Sequence, residues 1–166
     1  WKPITWLVRV SKDGRIIGIE DTRSVPRETV SQTGKTSHPP KAVAKKFRLP
    51  REKARVSGDR AFLLFDKAEY VFGLDPDDRR ESGKLASRKK LFRDRIRDCQ
   101  NASQDEGIAA VLKAVEAYDA DITSVKLPEK IASNDLFAFI YDTDIDTLVT
   151  DRPSIRDYWK RLRQIT

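Results

Sequence analysis

The sequence lacks methionine and contains one cysteine and one histidine among its 166 residues. With Cys99 alone, the chain forms no internal disulfide, which is typical of a reducing compartment; we expect Cys99 to act as a small apolar residue on a helix face. The single cysteine suits the cytoplasm, where we expect the protein to be. No apolar run approaches the roughly 20 residues of a membrane-spanning helix, so we expect no membrane partner. Trp1 stands where an initiator Met would be, which indicates a chain that begins part-way into a longer gene product.

Charge is abundant and segregated along the chain. Charged residues make up 36% of the sequence and the formal net charge is +7, which favours a polyanionic partner. Residues 30–60 contain nine Lys/Arg and two acids, and so do residues 79–97. Residues 105–151 contain three Lys and eleven acids. If the charges served only solubility, positive and negative residues would be interspersed. Their separation along the chain therefore predicts one basic face.

Alternating apolar patterns predict an antiparallel sheet of β-hairpins. The runs at 4–10 and 15–21 flank an Asp-Gly turn and are typical of a hairpin. Further strands are predicted at 45–50 and 136–142. Residues 24–44, rich in Ser, Thr, Pro and Gly, are interpreted as a long mobile loop.

The apolar stretch "FLLFDKAEYVFGLDP", from Phe62 to Pro76, lies between the two basic blocks. Its pattern predicts two strands joined by a tight turn at Asp66 and Lys67. We interpret it as a scaffold that holds the basic segment upstream, and its Asp66, Lys67 and Glu69 as residues without a catalytic role.

Helical periodicity accounts for much of the rest. The predicted apolar faces are Leu85, Phe92, Ile96 and Cys99 in a basic helix at 84–98; Ile108, Val111, Leu112, Val115 and Tyr118 in a second helix; and Ile155, Trp159 and Leu162 in a third. Ser103 and Glu106 predict a capping box, and Asp151 with Pro153 predicts the start of the last helix. The chain is therefore predicted to be a single α+β domain over 1–166, with a sheet of antiparallel hairpins, several helices and one basic face.

Three motifs suggest catalysis but match their patterns poorly. "TGKT", Thr33–Thr36, has Thr29 where a phosphate-binding loop needs its first Gly. His38 lies in the predicted loop, without the rigid surroundings that a general base needs. Asp142, Asp144 and Asp146 resemble the start of a calcium loop but are followed by the wrong residues, so a solvated edge is favoured over a metal nuclease. We expect no cofactor and no bound metal.

The basic blocks carry the stronger signal. Seven Lys/Arg of 45–60 are interleaved with only two acids, and Ser57-Gly58 could bring backbone N–H groups to a phosphate. The candidate nucleic-acid contacts are Lys45, Lys46, Arg48, Arg51, Lys53, Arg55, Ser57, Gly58, Arg60 and Phe62. A secondary basic face is predicted from Arg88, Lys89 and Arg93 on the first helix. Phe62 could act as a wedge at a base step, although core packing is favoured.

The order of several short motifs resembles one protein family. The motifs are Val10, Asp13-Gly14, Ile19-Glu20-Asp21 and Arg23; Lys53, Arg55 and Ser57-Gly58; Phe65-Asp66-Lys67, Tyr70 and Gly73; and Asp151-Arg152-Pro153 with Trp159. Together they resemble the N-terminal portion of the large (Cas8-type) subunit of the subtype I-C CRISPR surveillance complex, Cascade. The likeness spans nearly the whole chain, and each motif alone is weak.

The resemblance implies a non-enzymatic function. Such subunits read the protospacer-adjacent motif (PAM) of double-stranded target DNA, help open the duplex for R-loop formation, and help recruit a helicase–nuclease. The implied partners are target DNA, the crRNA ribonucleoprotein with the other Cascade subunits, and that helicase–nuclease. By position, Lys53, Arg55, Ser57 and Gly58 would lie nearest the PAM. Two alternatives stay open: a generic nucleic-acid or RNP-binding module, and a metal nuclease.

Overall fold

The computed structural model describes residues 1–25, 42–52, 55 and 58–165, with backbone only for 164 and 165. Most of the predicted mobile loop lies outside these residues, including "TGKT" and His38. Lys53 and Ser57 also lie outside them. Ser24 and Val43 form an isolated antiparallel bridge at the two ends of the gap.

In the described part of the chain, seven strands form two sheets. They are β1 Lys2–Ile4, β2 Trp6–Val10, β3 Ile16–Asp21, β4 Lys45–Phe47, β5 Phe65–Lys67, β6 Leu136–Tyr141 and β7 Asp144–Leu148. The larger sheet has the order β3-β2-β6-β5, and β7 also pairs with β6. β1 and β4 form a separate antiparallel ribbon. The predicted hairpin is confirmed as β2–β3, and Gly14 takes the left-handed conformation in its turn with φ +78°.

The larger sheet is mixed, which refines the prediction of antiparallel hairpins. β2 pairs in parallel with β6, with Trp6 opposite Phe137 and Val10 opposite Tyr141. The β-hairpins and the several helices of the predicted α+β class are otherwise present.

Strand β6 lies at the centre of the fold because both of its faces are buried. Phe137 and Phe139 point into the main core beneath the helices, whereas Ala138 and Ile140 join a second core on the opposite face. This alternation follows from the period of two along a strand. The second core is covered in part by Phe47 and Leu49, so the β1–β4 ribbon and the residues after it are anchored to that face.

The described residues also form four α-helices and one 3-10 turn. They are α1 Ala68–Val71, α2 Ser82–Ser103, α3 Glu106–Ala120, the 3-10 turn Val149–Asp151, and α4 Pro153–Ile165. The predicted face of α2 is confirmed, since Phe92, Ile96 and Cys99 are buried. Cys99 is thus the small core residue expected from the sequence.

The predicted reversal at Asp66 and Lys67 is wrong. Both residues belong to β5, which pairs with β6, and the chain continues directly into α1. The apolar spacing of Tyr70 and Phe72 is equally compatible with a short buried helix, and α1 is buried at all four positions. The interpretation of this stretch as scaffold holds, because Leu64, Phe65, Tyr70 and Phe72 are all buried.

The predicted helix caps also need correction. Ser103 belongs to α2, and its hydroxyl donates to the carbonyl of Cys99 at 2.7 Å. Asp105 instead caps α3, accepting from the N–H groups of Gly107 and Ile108 at 2.9 and 3.1 Å. Asp151 lies inside the 3-10 turn, while Pro153 begins α4 as expected.

Candidate nucleic-acid interface

Arg55, a central residue of the predicted DNA contact, is held within the protein. Its guanidinium carbon lies 4.0 Å from the ring centroid of Phe62 and 4.1 Å from that of Tyr70. The guanidinium pairs with the carboxylate of Asp66, and its Nε donates to the carbonyl of Arg60 at 2.6 Å. Only 18% of the side chain is exposed, so we remove Arg55 from the contact surface and assign it a structural role.

Asp66 is fully buried, and backbone donors also contact its carboxylate. One oxygen accepts from the N–H of Phe62 at 2.9 Å and the other from the N–H of Lys67 at 2.8 Å. Burial raises the pKa of Asp66, and the hydrogen bond from Arg55 opposes that rise. The Arg55–Asp66 pair therefore fixes the segment upstream of β5 to the edge of the sheet.

A second ion pair holds the same segment from the side of α2. Arg95 pairs with Glu52 and donates to the carbonyl of Ala61 at 2.8 Å, while Glu52 accepts from the N–H of Leu63 at 2.9 Å. The guanidinium carbon of Arg95 also lies 5.2 Å from the ring centroid of Trp159 in α4. Arginines that bind carboxylates of this chain thus hold Glu52, Arg55 and the backbone at 60–63 in place.

Arg88, in the predicted secondary basic face, is buried, with 9% exposed. It pairs with Glu69 of α1 and, at 3.0 Å, with Asp59. Lys84 reaches the other oxygen of Asp59 at 3.0 Å. Arg88 therefore joins α2 to α1, and it leaves our proposed contact surface.

Lys89 and Arg93, the other two residues of that face, both contact Asp119 of α3, at 2.8 and 2.6 Å. Their charges offset a carboxylate that is only 14% exposed. These two residues hold α2 against α3, and Asp119 offsets one of their two positive charges.

The first part of the predicted contact set is different. Lys45, Lys46, Arg48 and Arg51 are exposed, and among the residues that the structure describes none of them has a carboxylate partner. Lys45 lies opposite Ile4 in the β1–β4 ribbon, with its ammonium 5.1 Å from the ring centroid of Phe47. We call these four residues the basic strip. It carries uncompensated positive charge on an element anchored to the second core.

The remaining predicted contacts have mixed surroundings. Arg60 is 47% exposed and lies 4.0 Å from Glu52. Gly58 is exposed with φ +73°, and nothing lies within 4 Å of the position of a Cβ. Phe62 is half-buried, and its ring centroid lies 5.3 Å from that of Phe65, in line with the expected core packing.

A family model of CRISPR-associated proteins, Cas_Csd1, matches the chain over residues 1–166. The chain belongs to the Csd1 family of CRISPR-associated proteins. This assignment confirms the resemblance seen in the sequence, since Csd1 is the large-subunit family of type I-C systems. No curated protein matches the chain.

Csd1 membership makes the chain a CRISPR-associated component of the Cascade type that works with other Cas proteins and crRNA. Within the described part of this Csd1 chain, no helix combines the length and apolar character needed to cross a membrane.

The acidic motif of this Csd1 chain does not form a metal-binding cluster. Asp144 begins β7, and its carboxylate lies 3.7 Å from Arg152. Among residues 1–25, 42–52, 55 and 58–165, no three His, Cys, Asp or Glu side chains are placed to hold a metal ion. The solvated edge favoured by the sequence agrees with the exposure of Asp142 and Asp146.

Sequence reasoning missed the basic residues of α4. Arg156 and Lys160 are exposed and follow an i, i+4 spacing, so they lie on one face of the helix. With Trp159 they line a groove whose other wall includes Arg48 and Arg51. The signal was present in the basic composition after Arg152, but only the apolar stripe of the helix was interpreted.

Proposed function

We propose that this Csd1 chain is a non-enzymatic DNA-binding component of a subtype I-C Cascade, and that the basic strip contacts the phosphate backbone of the PAM-containing duplex. One observation carries the proposal. Arg55, Arg88, Lys89, Arg93 and Arg95 bind carboxylates of the chain itself, whereas Lys45, Lys46, Arg48 and Arg51 have none among the described residues.

Phosphate contacts and base contacts have different functions in such a complex. Lysine and arginine on phosphates supply affinity and fix the register of the duplex, while sequence is read at the base edges. The basic strip supplies the first kind of contact. Gly58, with Lys53 and Ser57 of the family motif, remains our proposal for the contacts nearest the PAM, and we propose the exposed Arg60 as a further DNA contact.

The proposed cellular role follows from the family. A duplex held beside the crRNA ribonucleoprotein can be opened so that guide pairing begins, because base pairing reads the remaining sequence. The chain would then contribute to R-loop formation and to recruitment of the helicase–nuclease, in the cytoplasm.

The test measures target binding by an assembled complex over a series of salt concentrations. Lys45→Gln with Lys46→Gln should weaken binding to PAM and non-PAM duplexes alike. The slope of log Kobs against log salt should become shallower by about 2, at roughly 0.9 per lost phosphate contact. The matched control is Lys126→Gln with Lys130→Gln, which removes two exposed lysines of the acidic block. An equal change in slope for both double variants would overturn the assignment of the basic strip.

The same titration separates PAM recognition from generic binding. A PAM-reading subunit gives tighter binding of the complex to PAM duplex than to a duplex with the motif scrambled. Equal affinity for both duplexes and for RNA would instead support a generic nucleic-acid-binding module.

A nucleic-acid cleavage assay tests the proposal that the chain is not an enzyme. We expect the chain to leave DNA and RNA intact in the presence of Mg²⁺. Cleavage that disappears in Asp144→Ala would establish a metal nuclease and contradict the proposal.

A further inference from the structure

Between the basic strip and α4 lies a groove of about 270 Å³. One wall is the segment after β4, with Arg48 and Arg51, and the other is the face of α4 that carries Arg156 and Lys160. The groove could admit several water molecules at about 30 Å³ each, and therefore a compact polar group.

The charge of the groove is strongly unbalanced. Arg48, Arg51, Arg156 and Lys160 have no carboxylate partner among the residues that the structure describes, and all four are exposed. Asp151 is the one carboxylate among the described residues that line the groove, and Arg163 adds a fifth cation to its wall. Cations that converge on one groove repel each other, so an anion bound there would lower their free energy.

Two residues that line the groove also have a buried side-chain atom without a hydrogen-bond partner among the described residues. Thr150 is 1% exposed, and neither its Oγ1 nor the Nε1 of Trp159 has a hydrogen-bond partner among the described residues. Buried polar atoms are normally hydrogen-bonded, so both indicate a missing partner. An indole N–H can only donate, as can the cationic groups of Arg and Lys, so the lining calls for a ligand rich in acceptors.

We propose that this groove binds a phosphate group of a nucleic-acid strand, with Arg156 and Lys160 as its contacts on α4. A phosphate offers several acceptor oxygens and negative charge, which match the donors and the unbalanced charge of the groove. The choice of nucleic acid over an acidic peptide rests on the proposed function, because Arg48 and Arg51 also belong to the basic strip.

Indole resonances report directly on the groove. The chain has three tryptophans, and in a ¹⁵N–¹H spectrum of the 166-residue protein each indole N–H gives one signal. The N–H of Trp6 donates to Asp135 at 3.0 Å, so it serves as an internal control for folding. We expect a short single-stranded oligonucleotide to shift the Trp159 signal and to leave that of Trp6 in place.

Variants then assign the shift to the groove. Arg156→Gln with Lys160→Gln should raise the apparent Kd for the oligonucleotide by about tenfold or more, since two charge-assisted contacts to phosphate are lost. Lys130→Gln, which does not line the groove, should leave it unchanged. An unchanged Kd in the double variant, or no Trp159 shift, would overturn the proposal.

Other ligands serve as opposing outcomes. Inorganic phosphate at the same phosphate concentration is expected to shift Trp159 weakly, and an acidic peptide to leave it in place. A shift with inorganic phosphate or the peptide but none with the oligonucleotide would overturn the nucleic-acid assignment. Binding of the PAM duplex by the assembled complex is measured separately, so either proposal can fail without the other.

Discussion

The guanidinium of Arg55 stacks on the ring of Phe62, with 4.0 Å between its carbon and the ring centroid. The same carbon lies 4.1 Å from the ring centroid of Tyr70, and the Nη2 of Arg55 pairs with the buried Asp66. A residue that the sequence assigns to DNA contact is thereby a link between the basic segment and the sheet.

This arrangement predicts that Arg55→Ala lowers the stability of the chain. The change leaves the buried Asp66 without its ion-pair partner, and breaking such a pair costs about 3 kcal/mol. Urea unfolding should show a lower free energy of unfolding for Arg55→Ala. Arg55→Lys should restore little of the lost stability, because an ammonium lacks the planar shape with which a guanidinium stacks on aromatic rings.

Arg51→Ala is the matched control for this experiment. Arg51 is exposed and lacks a carboxylate partner among the described residues, so its loss should change the free energy of unfolding by less than about 0.5 kcal/mol. Equal destabilisation by the two alanine substitutions would contradict the structural role of Arg55.

Sequence patterns predicted which segments form strands and helices better than they predicted which strands pair with each other. The β2–β3 hairpin and the buried face of α2 follow from local periodicity, and both are present. The parallel pairing of β2 with β6 joins residues about 130 positions apart, and no local pattern specifies such a partner. The short helix α1 was missed because four buried residues fit a strand as well as a helical turn.

At the candidate site, too, local sequence patterns fail to indicate contacts between residues that are far apart along the chain. A run of Lys and Arg resembles a polyanion-binding surface when only neighbours in sequence are counted. In the fold, Asp119 pairs with both Lys89 and Arg93, and Glu69 pairs with Arg88, although these acids lie 19 to 30 residues away along the chain. Only the three-dimensional contacts separate structural cations from those available to a ligand.

Asp105 links the start of α3 to α4 and predicts a dependence of stability on pH. Its carboxylate caps α3 and also accepts from Arg152 and Ser154, both at 2.8 Å. Burial alone raises the pKa of Asp105, but the hydrogen bonds from Ser154, Arg152 and the backbone outweigh it, so the pKa lies below its usual value.

The sign of the pH effect follows from this lowered pKa. The stabilisation from ionised Asp105 is present above the unfolded-state pKa of about 3.9 and is lost as pH falls through the lower pKa of the folded state. Asp105→Ala should lower the free energy of unfolding at pH 7 by about 1–2 kcal/mol, through loss of the cap. Asp105→Asn should lower the free energy of unfolding by less, because Asn still caps the helix. The difference in this free energy between the wild type and each variant should become smaller below about pH 4. A deficit that stays constant between pH 7 and pH 3 would exclude the ionic contribution.

Cys99 is predicted to be unreactive in the folded protein. It is completely buried in the face of α2, and burial raises the pKa of its thiol to about 12. Because the thiolate is the reactive form, a thiol reagent at pH 8 should label the native chain far more slowly than the chain in denaturant. Labelling at the same rate in both conditions would show that this face of α2 is open to solvent.

The last prediction separates paired from unpaired cations on the same molecule. Lys89→Gln with Arg93→Gln removes as much charge as Lys45→Gln with Lys46→Gln, but both of the replaced side chains are held by Asp119 within the protein. We therefore expect the first pair of changes to leave the salt slope of target binding unchanged, while lowering the free energy of unfolding by about 1 kcal/mol, because α2 and α3 lose their ionic contact. The second pair should make the slope shallower with little loss of stability, since neither lysine has a carboxylate partner in the described part of the chain. If the Lys89/Arg93 variant changed the slope as much as the Lys45/Lys46 variant, the affinity would depend on total charge, and the contacts of individual side chains would not identify the binding surface.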